Sequence, residues 1–515
     1  MDRQAAYKYQ RRSQWLLLFS VLVIATCGLI YELVAGTLAS YLLGDSVTQF
    51  SLIIGIYLFS MGIGSFLSKY FNKNLIEWFI RIEILVGIIG GISAPLLFIT
   101  FPLVHSFNII LYGLVILVGT LVGIEIPLLL KILKDKLSFS ELVSRVFTFD
   151  YIGALLASLV FPLLFVPKLG LIRTSLFFGI LNIGIGLLLC FFYEKKIKHA
   201  GRLKIIAAFF LFAEVILFAF GDKLLDISDA MNYEDQVVYA KTTPYQRLVI
   251  TRNKNDIRLY INSNLQFSSA DEYRYHEALV HPALSIHAHP KNILVLGGGD
   301  GLAIREIVKY PEVEKVDLVD LDPEMTRLFK SHSMLAPLNE HSFSNPKVNI
   351  INADAFIWLQ NNKQKYDCVI IDFPDPSGFA VGKLYSNTFY KELKKHLTTE
   401  AIFVVQSTSP LVAPKSFWCV NKTIGSVGFH TLPYHNFVPS FGEWGYILGS
   451  LSPFPDSTQN IPFKIPGKYI STETFAIMLV FSPDMKTKAD LEVNKLNNQI
   501  LVNYFEEEWS KYLDK

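Results

Sequence analysis

The sequence predicts a protein of two unlike parts: an N-terminal α-helical multispan bundle, and a C-terminal α/β unit entered through a small antiparallel sheet. Three observations carry this expectation. Charge is shared unevenly, since residues 1–221 hold 18 Lys+Arg and 11 Asp+Glu (net +7), whereas residues 222–515 hold 29 and 34 (net −5). Only 18% of the 515 residues are charged, against about 25% in ordinary soluble domains, and long uncharged runs concentrate in the first part. After residue 236 the apolar pattern changes to strict alternation and then to short strands alternating with helices, the signature of a sheet with crossover helices. The acidic second part lacks the basic stripe of a nucleic-acid binder, so nucleic acid is not an expected partner. Four scattered cysteines without a CxxC pair (Cys27, Cys190, Cys368, Cys419) indicate neither a disulfide framework nor a metal site.

A bilayer core takes about 20 apolar residues per helix, and seven stretches approach that length: 15–42, 49–68, 78–100, 108–130, 149–166, 171–193 and 204–221. Residues 1–221 are therefore expected to form a membrane domain of about seven spans, with the lipid bilayer as its partner and the cell membrane as its location. The run Trp15 to Leu43 is too long for a cleaved signal peptide and further spans follow at once. Fifteen Lys and Arg fall in one set of segments (Arg3 to Arg12, Lys69, Lys73, Lys131 to Arg145, Lys195 to Lys204), and only Lys168 and Arg173 in the opposite set. The positive-inside rule then places the N-terminus in the cytoplasm. Seven spans would put the second part outside; one segment fewer reverses that, and the Pro162- and Pro167-interrupted stretch is the one on which the parity turns. Glu32, Glu83, Glu125 and Asp150 lie within or at the edges of spans, where an ionised side chain is costly. Two readings stand side by side: a polar path or binding site between helices, or a structural one, with pairing inside the bundle, for example Glu83 with Arg81, or carboxyls kept protonated.

Residues 222–270 are expected to form the small β domain, with VVYAKTTPYQRLVITRN, a turn at 253–256 and IRLYIN as its strands. Residues 271–484 form the α/β domain. Helical period begins after Asp271, and a buried strand follows Pro290. The segment NILVLGGGDGLAIREIVKYPEVEKVDLVDLDPE then places a strand, the glycines 297–299 and 301, a helix opening near Leu302, and a second strand ending at Asp320. Glycines let the backbone turn tightly and approach a ligand, and an acid at the end of the second strand suits ribose hydroxyls, so a Rossmann-like nucleoside-binding unit is expected. VNIINADAF leads a strand toward Asp354, and YDCVIIDFPDPSG leads one to Asp372, with Asp375 three residues on. Four acids (Asp300, Asp320, Asp354, Asp372) thus fall at successive strand ends, where parallel sheets bind ligands. So many carboxylates near the glycine loop disfavour a pyrophosphate and favour a cationic nucleoside. For any one of them the structural alternative is a turn or a helix cap.

Residues 236–450 resemble the spermidine synthases, the polyamine aminopropyltransferases, through TPYQ (243–246), DEYRYHE (271–277), GGGDG (297–301), VDLD (319–322), ADA (353–355), DFPDP (372–376) and LYSNTFY (384–390). The whole chain looks like the membrane-fused version of that family. The resemblance implies a methyltransferase-type Rossmann-like sheet, and transfer of an aminopropyl group from the cosubstrate decarboxylated S-adenosylmethionine to putrescine or a related amine, with no resident cofactor. Carried over residue by residue, Gln246 and Asp320 would hold the nucleoside, Asp354 and Ala355 the adenine, and Asp300 the aminopropyl ammonium. Tyr275, His276 and Asp375 would line the diamine channel, and Asp372 would take a proton from the attacking amine. The chain departs from the family pattern at Asp320 (usually Glu), Phe373-Pro374, Phe379 and Leu302. The gate-like stretch VPSFGEWGY (438–446) has its own spacing, with Glu443 as its acidic candidate. His281, His287 and His289 lack a carboxylate at motif spacing and read as structural. Phe417, Trp418 and Trp444 read as core or gate packing, and residues 485–515 as an amphipathic surface helix without chemistry of its own. Two other classes stay open: a methyltransferase using intact S-adenosylmethionine, which the Asp300 carboxylate disfavours, and a non-catalytic polyamine sensor or transporter. A homo-oligomer is compatible with the sequence.

Overall fold

The computed structural model describes residues 3–43, 46–101, 103–104, 106–134, 138–221, 223–224 and 231–513. The chain divides into two compact units, Met1–Gln236 and Val237–Lys515.

The first unit is helical: α1 (Arg3–Leu43), α2 (Ser46–Leu67), α3 (Leu75–Thr100), α4 (Phe107–Leu133), α5 (Phe139–Val160), α6 (Val166–Phe192) and α7 (Ala200–Ala219). Close helix approach depends on small residues, as in membrane bundles generally. A methyl group on Gly64 would lie 2.0 Å from the Thr120 carbonyl oxygen, and one on Gly123 would lie 2.2 Å from that of Met61, so α2 and α4 meet backbone to backbone. Five helical segments among the described residues are long and apolar enough to cross a bilayer, and the last runs 54 residues from Phe139 to Phe192. That run holds two of the expected spans. It is interrupted by a π-helical turn at Phe161–Phe165 and by Gly170, whose φ of 70° and ψ of 179° belong to a region open essentially to glycine. The stretch expected at 204–221 is helical, as α7, but it is not one of the five segments. The expected Arg81–Glu83 pairing is replaced by another: Arg81 binds Glu77, one turn earlier, at 2.5 Å, and neither Glu83 oxygen receives a hydrogen bond from a backbone, amide or hydroxyl donor. On α3, Glu77 stands four positions before Arg81, the spacing that brings side chains together, whereas Glu83 at two positions points elsewhere.

The second unit opens with a four-stranded sheet, β1 (Gln236–Thr242), β2 (Arg247–Asn253), β3 (Asp256–Ile261) and β4 (Asn264–Ser268), in sequential order. The expected turn is the two-residue connection Lys254-Asn255, with Lys254 at φ 54°. The helix Glu272–Ile286 then leads to a seven-stranded sheet of order β10-β11-β9-β8-β5-β6-β7, made of β5 (Asn292–Gly297), β6 (Lys315–Asp320), β7 (Val348–Asn352), β8 (Tyr366–Asp372), β9 (Leu397–Gln406), β10 (His430–Val438) and β11 (Gly442–Ser450). Strands β7, β6, β5, β8 and β9 are parallel, β11 runs against them, and β10 runs against β11 at the edge of the sheet. The centre of the sheet is apolar on both faces: Ile293 to Leu296 on β5 and Cys368 to Ile371 on β8 are fully buried, as crossover helices on both sides require. After β5 the chain builds β6 and β7 on one side and then returns to place β8 on the other. This switch point opens a crevice beyond the carboxyl ends of β5 and β8. All four cysteines are free and buried.

Candidate active site

The crevice has a volume of about 630 Å³ and is lined by Asp300, Asp320, Asp322, Asp354, Asp372 and Asp375, together with Gln246, Tyr275, His276, Ala355 and Lys383. The residues to which the family resemblance assigns a role therefore all reach one cavity, drawn from six separate stretches of chain. The backbone explains how the first of them arrives. Gly297 ends β5 at φ 79°, and a methyl group there would lie 2.2 Å from the Asp372 carbonyl oxygen. A methyl on Gly299 would lie 2.6 Å from an Asp320 carboxylate oxygen. The glycine loop thus leaves β5 flush against β8 and β6, and the acids at those strand ends come within reach of its backbone.

Several of the acids hold structural bonds as well as facing the crevice. Asp300 accepts from the Leu302 amide at 2.9 Å, and Asp320 from the Asp322 amide at 2.9 Å. Asp354 caps the following helix through the Phe356 and Ile357 amides and receives Lys383 Nζ at 2.7 Å. The cap and the site are alternatives only on paper, because a carboxylate offers several acceptor positions. Lys383 and its field hold Asp354 below the usual carboxylate range against the effect of burial. Gln246 donates to Asp322 Oδ2 at 3.0 Å and Thr243 donates to the same oxygen at 2.8 Å, which ties the TPYQ loop to the end of β6.

Asp372 receives the Tyr275 hydroxyl at 2.6 Å on Oδ1. Its other oxygen, Oδ2, sits over Gly298, where an added methyl would come to 3.2 Å. Burial raises the Asp372 carboxyl, the Asp300 charge raises it further, and His276 and the Tyr275 bond oppose, so it titrates at about 6. Asp375 accepts from Gln406 at 3.4 Å and Thr408 at 3.3 Å, and burial lifts it to about 7 despite both bonds. Burial likewise lifts Asp320 to about 7, with Asp322 and Asp300 adding to the effect. Asp300 is raised by burial against the pull of His276. His276 behaves oppositely. Burial would lower it, but its Nδ1–H donates to Glu272 at 2.8 Å, and the charges of Glu272, Asp300 and Asp372 carry it to about 9.

That imidazolium stands at the end of a buried charged network. Arg305 spans both Glu272 oxygens at 2.8 and 3.0 Å and reaches Glu306 at 2.8 Å. Glu306 receives His281 at 3.0 Å, and the other nitrogen of that ring meets the Tyr310 hydroxyl at 2.8 Å. His281 is structural, as expected, but it does have a carboxylate partner, 25 residues away and supplied by the first helix after β5.

Other members of the wall escaped sequence reading. Gln406 ends β9 and donates to the Phe373 carbonyl at 2.5 Å and to the Tyr385 hydroxyl at 2.8 Å. A polar residue closing the apolar run IFVV carries the same strand-end signal as the aspartates and could have been read from it. Lys383 precedes a quoted motif by one residue. Phe505 and Trp509 line the crevice from the C-terminal helix, whose described extent is Ile500–Leu513. The expectation of a plain surface helix over 485–515 is corrected accordingly: the helix starts later, and the Trp509 indole donates to Thr408, the residue that holds Asp375. Trp444 does act as packing, against Phe441 and Trp509. Glu443 pairs with His435 on the β10–β11 hairpin and does not line the cavity. Among the described residues no cluster of metal-ligating side chains occurs.

Residues 272–460 match the spermine/spermidine synthase domain. A polyamine aminopropyltransferase of Leptospira interrogans is 50% identical over 501 residues, covering 97% of this chain and 100% of the relative. Polyamine aminopropyltransferase 2 of Ralstonia nicotianae is 50% identical over 505 residues, covering 97% and 99%. The crystal structure of spermidine synthase from Thermotoga maritima matches at 23% identity and a TM-score of 0.43, covering 48% of this chain and 85% of that one.

Proposed function

From the premise that the chain belongs to the polyamine aminopropyltransferase family, we propose that it is a spermidine synthase, transferring the aminopropyl group of decarboxylated S-adenosylmethionine to putrescine. The observation that carries this reading is Asp372, buried at the sheet's switch point with one oxygen fixed by Tyr275 and the other directed over Gly298. An alkylamine in water is mostly protonated at neutral pH, and only its neutral form attacks carbon. A carboxylate that titrates at about 6 is ionised at neutral pH and retains enough basicity to accept the proton as the bond forms. In the step, the amine nitrogen forms a C–N bond to the terminal aminopropyl carbon. The C–S bond breaks, its electron pair stays on sulfur to give 5′-methylthioadenosine, and the nitrogen's proton passes to Asp372.

The roles of the remaining residues follow their chemistry. Asp320 faces the ribose hydroxyls beside Gly299, where no side chain intervenes. Asp354 and Ala355 flank the adenine, and Gln246 reaches the nucleoside from the TPYQ loop. Asp300 meets the aminopropyl ammonium, and Asp375, with Tyr275 and His276, receives the diamine. Six aspartates lining one crevice raise the local concentration of cationic substrates. The protonated His276 limits that excess of negative charge next to the base.

The helical unit is proposed to lie in the cell membrane, crossing it seven times with its N-terminus in the cytoplasm on the Lys and Arg bias. The break at Gly170 follows directly on the Pro162 segment on which that parity depends. Purified full-length protein, incubated with decarboxylated S-adenosylmethionine and putrescine, is expected to release methylthioadenosine and spermidine in equal amounts. Release of methylthioadenosine with no spermidine, or methylation from intact S-adenosylmethionine, would refute the assignment. A reporter enzyme fused after Lys515 and active only outside the cytoplasm tests the parity.

A further inference from the structure

We propose that the helical unit holds a second ligand site, for an alkylammonium ion with two or more charges, in the cavity between α1, α2, α4 and α5. This inference stands on the helical unit alone and does not depend on the transferase chemistry.

The cavity has a volume of about 190 Å³ and brings together Glu32 of α1, Glu125 of α4 and Asp150 of α5, with Tyr57 of α2 beside them. No lysine, arginine or histidine lines it. Glu125 is 1% exposed, and neither of its carboxylate oxygens receives a hydrogen bond from a backbone, amide or hydroxyl donor. Its neighbour Glu83, fully buried, likewise receives no such donor, and the two carboxyls have only each other as hydrogen-bond partners. The bundle leaves further buried groups without a partner, among them the Tyr31 hydroxyl, the Asn182 amide and the Glu214 carboxyl, but of these groups it is Glu125 that lines this cavity, where the Tyr57 hydroxyl beside it is satisfied by the Gly28 carbonyl at 2.8 Å. A buried carboxyl without a partner costs folding free energy. Its retention, facing a cavity between helices, is accounted for when a ligand supplies the missing donors.

The arrangement of the acids selects the ligand. Among the described residues no three acidic, histidine or cysteine side chains converge closely enough to hold one metal ion. The three carboxyls instead come from three helices around a cavity whose remaining walls are apolar, including Leu29, Met61 and Ile126. Charges separated by methylene groups fit that pattern: each ammonium meets a carboxylate, and the hydrocarbon between them lies on the apolar wall.

The probe is radiolabelled 1,4-diaminobutane in equilibrium dialysis with full-length protein in detergent. Glu125→Gln is expected to lose at least tenfold in affinity for one class of bound diamine, while aminopropyl transfer stays within twofold of wild type, which also reports that the chain is folded. Glu32→Gln, at a less buried position, is expected to weaken the same class several-fold. Unlabelled spermidine should displace that class at concentrations at least tenfold below those of butylamine, and sodium ions should not displace it at matching concentrations. Unchanged diamine binding in both variants would overturn the proposal. So would equal displacement by spermidine, butylamine and sodium, which would indicate a simple ion site. Loss of transferase activity with diamine binding to the bundle intact would count against the functional assignment above and leave this one standing.

Discussion

Two acid-lined cavities among the described residues differ in what surrounds the carboxylates. In the crevice of the second unit Asp300, Asp320, Asp354, Asp372 and Asp375 each accept a hydrogen bond from a named backbone or side-chain donor. In the cavity of the helical unit the Glu125 oxygens accept none from a backbone, amide or hydroxyl donor. The difference teaches what pre-organisation requires. An acid that must act on a reacting atom is held in one geometry by donors of the protein, and it keeps an oxygen free for the substrate. An acid left without donors is fixed only when something else arrives.

Substitutions at five positions break or sharpen this comparison. The largest effect is expected at Asp372. Asp372→Asn should lower kcat by about 10² to 10⁴, the scale of general-base catalysis, with donor affinity within a few-fold by calorimetry. In the wild type, activity should fall as pH drops through about 6, because protonation removes the base; the acid limb should vanish from the residual activity of the variant. Wild-type turnover in Asp372→Asn would remove the base from the mechanism.

Next is the network behind His276. Arg305→Ala leaves Glu272 and Glu306 buried without their guanidinium, a loss of about 3–5 kcal/mol for a broken buried pair. It should appear as thermal inactivation of the full chain at clearly lower temperature. Removal of Glu272 should also free the imidazole: with its folded pKa raised to about 9, charged His276 stabilises the fold fully below about pH 6.5, and that contribution fades as pH rises through 9. Glu272→Gln should therefore flatten the decline of thermal stability between those values.

A smaller effect is expected at Asp300. Asp300→Asn should narrow the affinity ratio between decarboxylated and intact S-adenosylmethionine by about tenfold, one pKa unit's worth of charge interaction, since the carboxylate attracts one donor's ammonium and repels the other's carboxylate. An unchanged ratio by calorimetry would show that selection lies elsewhere. The smallest is expected at Trp509. Loss of its contacts with Trp444 and Thr408 should raise the diamine KM between about twofold and tenfold, the energy of one aromatic contact, and Trp509→Phe should recover part of it. An equal rise in the KM of the donor would show that the helix shapes the whole crevice rather than the Asp375 end.

What the sequence determined by itself was set by local rules. Apolar runs of spanning length, the glycine loop after β5 and an aspartate at each successive strand end are written in adjacent residues, so the helical unit, the α/β order and Asp300, Asp320, Asp354 and Asp372 were legible. The motif order extended this to Tyr275, His276 and Asp375. Tertiary structure decided which groups meet across distance. Nothing near Glu272 in the chain points to Arg305, and nothing near Asp375 points to Trp509, because those contacts depend on how helices lie over the sheet. Likewise Glu32, Glu125 and Asp150 are isolated acids in three apolar runs, and spacing along one helix says which face a residue takes but not which neighbouring helix that face meets. Pairing of Arg81 with Glu77 rather than Glu83 lay within reach of the helical period, which places residues four apart on one side. The shared cavity lay outside it, because helix packing brings together side chains that no sequence interval relates.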